Sequence, residues 1–214
     1  MSQVTHGLRK VLAVPGLYDF FLKLAGVPAA RIRWIEEFLR PFPGARVLDI
    51  GCGTAELLRH LPRDLDYTGF DMSEPYLRAA RRRHGDRGRF IRSKVRDFPA
   101  RTASAGSGED AGAFDIAVAF GVLHHLGDEE GRQVFRSARA LLKPEGRLVT
   151  IDPAFLPGQS CLARCVASLD RGQNVRTPEA YAGLGGGCFS RIEVTVLRNA
   201  LRIPTDHAVL VCRA

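Results

Sequence analysis

A chain of 214 residues is long enough to bury the core of one domain, and 45% hydrophobic with 25% charged residues is ordinary for a soluble globular fold. The net charge of +8 invites a nucleic-acid partner, but the basic residues are nearly all arginine in a chain rich in Ala and Gly, so charge alone decides nothing. The most apolar segments, near 11–30 and 113–126, are broken by Pro15, Asp19, Lys23 and Asp115, which argues against a transmembrane span, and Met1 to Lys10 leads into no signal pattern.

In chain order, the N-terminal part offers helical material over Gly16–Ala25, with Tyr18, Phe20, Phe21 and Leu24. A second helix is expected over Pro28–Arg40, with Ile32, Ile35, Phe38 and Leu39 on one face and Pro41-Phe42-Pro43-Gly44 as its stop. Strands and helices then alternate. Arg46–Ile50 reads as a strand, Ala55–Leu61 as a helix and Asp66–Phe70 as a strand ending at Asp71; Ser73 caps the next helix, with Pro75 in its first turn. Arg89–Arg92 is a short third strand, 100–113 a low-complexity loop and Phe114–Phe120 a buried fourth strand. Asp128 caps a helix with Val134, Ala138, Leu141 and Leu142 as its apolar stripe; Lys143-Pro144-Glu145-Gly146 ends it, and Arg147–Asp152 is the fifth strand. After Asp152 the rhythm changes. A helical stretch near 157–169 and a capped helix from Thr177 to Leu184 precede two strands, Ile192–Leu197 and Ala208–Cys212, which read as an antiparallel edge.

The alternation predicts an α/β fold, a Rossmann-like mostly parallel sheet with helices on both faces, as a single domain over 1–214. Cys52, Cys161, Cys165, Cys188 and Cys212 are odd in number with no C-x-x-C pair, which predicts reduced thiols in a cytoplasmic protein and no metal site. Cys161 and Cys165, four apart, read as two buried apolar thiols on one helix face.

In such a sheet a ligand sits beyond the carboxyl ends of the strands. The stretch VLDIGCGTAELL, residues 47–58, sets Gly51-Cys52-Gly53 between a strand and a helical pattern, but Glu56 stands where a dinucleotide fingerprint has its third glycine, and no P-loop Lys follows. Asp71, 20 positions after Gly51, suits the ribose hydroxyls; a helix-capping role is the alternative, and coupling to the glycine turn favours ribose. A nucleoside without a pyrophosphate explains the missing glycine. A zwitterionic other end then gives the buried Asp49 an ammonium partner.

VLDIGCGTAELL, YTGFDMSEPYL and FDIAVAFGVLHHLGDEEGRQVFRSARALLKPEGRLVTID together resemble the class I S-adenosylmethionine-dependent methyltransferases (type 11/12-like) over roughly residues 30–152. The resemblance implies a seven-stranded sheet with an antiparallel C-terminal strand and S-adenosyl-L-methionine as cofactor. It implies Asp49, Gly51, Cys52 and Gly53 around the methionine end, Asp71 at the ribose and Met72 on the adenine. Phe120 would lend backbone at the methyl site, with His125 close by, and Tyr18 would close over the cofactor. Where relatives often carry Gly-Asp after the third strand this chain has Ser93-Lys94, leaving either backbone at Val95 and Arg96, or Asp97, to meet the adenine amino group.

Methyl transfer from a sulfonium needs mainly alignment and exclusion of water. A hydroxyl acceptor also loses a proton. His125 or His124 could take it, with Asp152 orienting a histidine; positional roles, or Asp152 as a turn cap, are the alternatives. Residues 1–40 are expected to form a helical cap and 153–187 a substrate lid over a small organic acceptor, aromatic, acidic or lipid-like. Arg171 and Arg176 could meet an acidic group or serve only the surface, and the apolar N-terminal helix could touch a membrane surface. The rival reading is an RNA or other nucleic-acid methyltransferase using the arginine-rich band 78–96, though no N-P-P-[YF] tetrapeptide follows the fourth strand. A non-catalytic cofactor-binding protein is a third reading, and an NAD-dependent enzyme ranks below these.

Overall fold

A computed structural model of the chain describes residues 26–97, 113–168 and 173–213. The expected helix over Gly16–Ala25, Tyr18, Arg171 and nearly all of the 100–113 loop lie outside them.

Strand β1 (Arg46–Ile50) pairs in parallel with β2 (Asp66–Asp71) on one side and with β4 (Phe114–Phe120) on the other. β3 (Arg89–Arg92) flanks β2 and β5 (Leu142–Pro153) flanks β4, again in parallel. β7 (His207–Arg213) runs antiparallel between β5 and β6 (Arg191–Leu197), giving the order β3-β2-β1-β4-β5-β7-β6. The sheet is therefore the seven-stranded one expected from the sequence, and the order reverses between β1 and β4, where a crevice opens.

Central strands buried on both faces feed two cores. Leu48, Ile50, Ala117 and Ala119 meet α3 (Asp128–Leu141) and α5 (Pro178–Leu184) on one face. Val47, Ile116 and Val118 meet α1 (Val27–Trp34) and α2 (Glu74–His84) on the other. α4 (Cys161–Ser168) follows β5 along the chain.

Several local expectations need correction. The helix expected over Pro28–Arg40 is α-helical only to Trp34, continues as a π-turn over Ile35–Leu39 and stops at Arg40, whose φ is 44°. Widening the turn brings Trp34, Ile35 and Leu39 inward, whereas Ile32 is exposed. In place of the helix expected over Ala55–Leu61 there is a short 3₁₀ stretch, Glu56–His60. Ser73 holds the cap position of α2 but its hydroxyl makes no cap bond. Gly127, not Asp128, precedes α3, and Asp128 is drawn to Arg176 instead. Leu142 leaves the helical stripe and begins β5, where the register with β4 shifts before Arg147. Thr177 does cap α5, its Oγ1 accepting the Ala180 N–H at 3.3 Å. All five cysteines are free, but Cys161 and Cys165 are exposed rather than buried, because α4 turns that edge outward with Leu162 beside it.

Candidate active site

β1 leaves the sheet through Gly51 (φ 72°) and Gly53 (φ 55°), a conformation that L side chains rarely adopt. A Cβ on Gly51 would stand 2.9 Å from Val122 Cγ2, so that position needs glycine twice over. The turn is tied to β2: the Gly51 and Cys52 N–H groups both donate to the Phe70 carbonyl, at 2.9 and 3.0 Å. Asp71 completes the clamp, with Oδ2 accepting the Gly53 N–H at 3.1 Å and Oδ1 accepting the Ser73 N–H at 2.7 Å. Burial pushes the Asp71 carboxyl up, and these backbone donors pull it down. Ala55 is left-handed at φ 55°, and Glu56, at the position of the missing glycine, opens the 3₁₀ stretch and pairs with Arg59 and Arg83. The turn thus leads into a 3₁₀ stretch rather than an α-helix, which suits a ligand without a pyrophosphate.

Asp49, at the end of β1, is buried and accepts a 2.5 Å hydrogen bond from the Tyr67 hydroxyl. Burial raises its carboxyl to about 6 against the pull of Tyr67 and Arg31, and Asp71 adds a small further push.

In front of the turn lies a cavity of about 500 Å³ whose wall includes Gly51, Asp71, Met72, Val95, Arg96 and Val122. Asp49, Cys52 and Gly53 are outside that wall, on the strand and turn behind it. Of the two choices after β3, Val95 and Arg96 reach the wall; Asp97 does not and is ion-paired with Arg96 at 3.3 Å. Glu130 and Gln133, on the first turns of α3, also reach the wall and were missed. Their only sequence signal is a place shortly after L-H-H-L.

Phe120 ends β4 half-buried, edge-on to Trp34 with centroids 6.2 Å apart. Gly121 (φ 69°) turns the chain into a 3₁₀ stretch, Leu123–His125. One oxygen of the buried Asp152, on β5, lies 2.7 Å from His124 Nδ1 and accepts the His124 backbone N–H at 3.2 Å. The ring of half-buried His125 lies 4.0 Å from that of His124. Burial raises the Asp152 carboxyl, opposed by the His124 contacts, and its second oxygen has no hydrogen-bond partner among the described residues. The two histidines and Asp152 are outside the cavity wall, joined to it through Val122, whose carbonyl accepts the His125 N–H at 3.1 Å.

Arg176 is neither idle nor turned toward a ligand. Its guanidinium donates to the carbonyls of Leu123 (3.1 Å), Leu126 (2.7 Å) and Asn174 (2.8 Å) and to Asp128 (2.8 Å), over the Tyr181 ring. Together with the Asn174 N–H bond to the His124 carbonyl at 2.9 Å, it staples the expected lid segment to the histidine turn. Arg176→Ala is expected to lower stability by about 2–3 kcal/mol, chiefly by taking the guanidinium donors from the Leu126 and Asn174 carbonyls; the Leu123 carbonyl keeps the Leu126 N–H. Urea unfolding checks this; a loss below about 0.5 kcal/mol would contradict the staple.

Four arginines of the basic band are committed to the fold. Arg81 binds the Phe90 carbonyl and Glu74, Arg83 binds Glu56, Arg87 binds the carbonyls of Leu58, Leu61 and Pro62, and Arg89 binds Thr68. Among the described residues no helix is long and apolar enough to cross a membrane.

Residues 48–148 match the family model of a methyltransferase domain, and that span carries the glycine turn, Asp71 and the histidine turn. That span is a little under half of the chain, and the match supports a class I S-adenosylmethionine-dependent methyltransferase domain there. It is 32% identical over 127 residues to a ubiquinone biosynthesis O-methyltransferase of Bordetella avium, covering 59% of this chain and 50% of that relative. The chain thus spans about half the length of the curated relatives it matches. Among solved structures, a TehB-like S-adenosylmethionine-dependent methyltransferase of Corynebacterium glutamicum shares the fold with a TM-score of 0.58 at 15% identity, covering 86% of this chain and 88% of that one. Geranyl diphosphate C-methyltransferase of Streptomyces coelicolor, in complex with Mg²⁺, geranyl diphosphate and S-adenosyl-L-homocysteine, shares it with a TM-score of 0.62 at 14% identity, covering 86% and 80%. The methyltransferase's cofactor is S-adenosylmethionine.

Proposed function

We propose that this methyltransferase transfers a methyl group to an oxygen of a small organic acceptor. The observation that carries the proposal is the Asp71 clamp on Gly53 at the cavity, on the same end of the sheet as the His124–Asp152 pair, with β1 and β4 between Asp71 and Asp152. The cofactor, when bound, supplies a methyl group already activated on a sulfonium. Asp49, Gly51, Cys52 and Gly53 hold its methionine end, Asp71 its ribose, and Met72, Val95 and Arg96 its adenine. Phe120 offers backbone at the methyl side, and Tyr18 is proposed to close over the cofactor.

On the acceptor side Asp152 fixes His124, the His124 ring packs at a tilt against His125, and His125, the more exposed ring, takes the proton from the acceptor hydroxyl. Residues 153–187, held to the histidine turn by Arg176 and Asn174, serve as the lid that excludes water, with residues 1–40 as the cap. The name of the Bordetella avium relative supports oxygen as the acceptor atom. The inward commitments of Arg81, Arg83, Arg87 and Arg89 weigh against the nucleic-acid alternative.

The test is incubation with methyl-labelled S-adenosylmethionine and either a panel of phenols and catechols or bulk RNA and DNA. Label in an ether-extractable methyl ether is the expected result. Label in nucleic acid alone would overturn the choice of acceptor.

A further inference from the structure

Asp49 and Tyr67 form a contact that no motif announces. In the parallel ladder Asp49 stands opposite Gly69, and Val47 opposite Tyr67, so these four positions face the same side of the sheet. Gly69 has no side chain, and the space beside it is filled from two directions. A Cβ there would lie 2.9 Å from the Cys52 side chain and 3.1 Å from the Tyr67 ring. The Tyr67 ring therefore leans across the bare position and delivers its hydroxyl to Asp49 Oδ2 at 2.5 Å. Tyr67 itself is 1% exposed, and the same ring edge also borders Gly88, where a Cβ would stand 2.8 Å from it. Burial and these two close approaches hold the phenol in place. Asp49 has no other hydrogen-bond partner among the described residues.

A carboxylate at the end of an apolar strand would otherwise be free to rotate. One donor on Oδ2 fixes its plane and leaves Oδ1 for an incoming cation. We propose that Tyr67 is a positioning residue that aims Asp49 at the ammonium of the cofactor's methionine end; this rests on the assignment of Asp49 under Proposed function. The charged and titratable groups around Asp49 are Tyr67 and Asp71 on β2, Arg31 on α1 and Cys52 in the turn. Burial keeps the Tyr67 phenol and the Cys52 thiol neutral well past neutral pH, raising both groups above their ordinary values. Tyr67 also sets the pH at which Asp49 ionises. Its hydrogen bond stabilises the carboxylate, so removing the hydroxyl raises the proton affinity of Asp49 above the present value of about 6. Because ammonium binding requires the charged form, affinity falls as pH drops through that value. The acid limb of the binding profile thus moves upward when the donor is lost.

The experiment is calorimetric titration of wild type, Tyr67→Phe and Asp49→Asn with S-adenosylhomocysteine and with its analogue lacking the amino group. It is run from about pH 5 to 7.5, where an α-amino group stays largely protonated. Asp49→Asn is expected to erase the preference for the amino compound. Tyr67→Phe is expected to bind the amino compound about tenfold more weakly at pH 7, with the acid limb displaced upward. A preference that survives Asp49→Asn would remove the Asp49 assignment, and the Tyr67 inference with it. A preference erased by Asp49→Asn, with affinity and limb both unmoved by Tyr67→Phe, would overturn the Tyr67 inference alone. Should Tyr67→Phe fail to fold by circular dichroism, wild-type protein with fluorotyrosine at position 67 replaces it. A more acidic phenol donates more strongly and moves the limb down; an unmoved limb contradicts the inference.

Discussion

His125→Asn is expected to lower kcat by about 10²–10³-fold for a hydroxyl acceptor while leaving the Kd for S-adenosylhomocysteine within about twofold. The asparagine preserves a side chain of similar reach but takes no proton. The residual rate should rise with pH, since an acceptor that ionises by itself needs no base. Asp152→Asn should act in the same direction, because one Asp152 oxygen holds both the ring and the backbone N–H of His124, and His125 packs at a tilt against that ring. Its effect includes the geometry of the whole turn, so it is compared with His125→Asn at matched acceptor saturation. A His125→Asn enzyme with unchanged kcat and an unchanged pH profile would show that the histidine turn is a scaffold.

Asp71→Ala carries the second large effect, this time on cofactor affinity. The carboxylate accepts from Gly53 and Ser73 before any ligand arrives, so its removal takes away the proposed ribose acceptor and frees the glycine turn together. A loss of about 1–3 kcal/mol in S-adenosylhomocysteine binding is expected, with the fold intact by circular dichroism. Asp71→Asn should fall between the two, since its carbonyl oxygen can still accept one of the N–H bonds. Unchanged affinity in Asp71→Ala would confine Asp71 to a structural clamp.

Much of the site was legible because its features are local. Two glycines between an apolar strand and a polar turn mark Gly51 and Gly53, and both have positive φ. Asp71 follows from strand length, since β2 ends where its apolar run ends. The central strands could be read from continuous burial, and β1, β3 and β4 have the expected bounds. What failed depends on contacts distant in sequence. Arg176 looked like a surface or ligand arginine because its partners, the carbonyls of Leu123 and Leu126, carry no side-chain signature. Cys161 and Cys165 share a short helix, but spacing does not say which face the fold turns outward. The stretch after Ala55 has helical periodicity, yet a left-handed Ala55 and the extended Leu61 leave room for only one tight 3₁₀ segment. Tyr67 was invisible as a partner of Asp49 because the bond runs diagonally across the ladder, through a gap that only Gly69 opens.

The measurement that bears most directly on the central claim is calorimetric titration of wild type and Asp71→Ala with S-adenosylhomocysteine, and of wild type with NAD. One saturable site for S-adenosylhomocysteine, weakened in Asp71→Ala, with no heat from NAD, is the result the Gly51–Asp71 cavity predicts. Equal binding by both proteins, or NAD binding in preference, would contradict it.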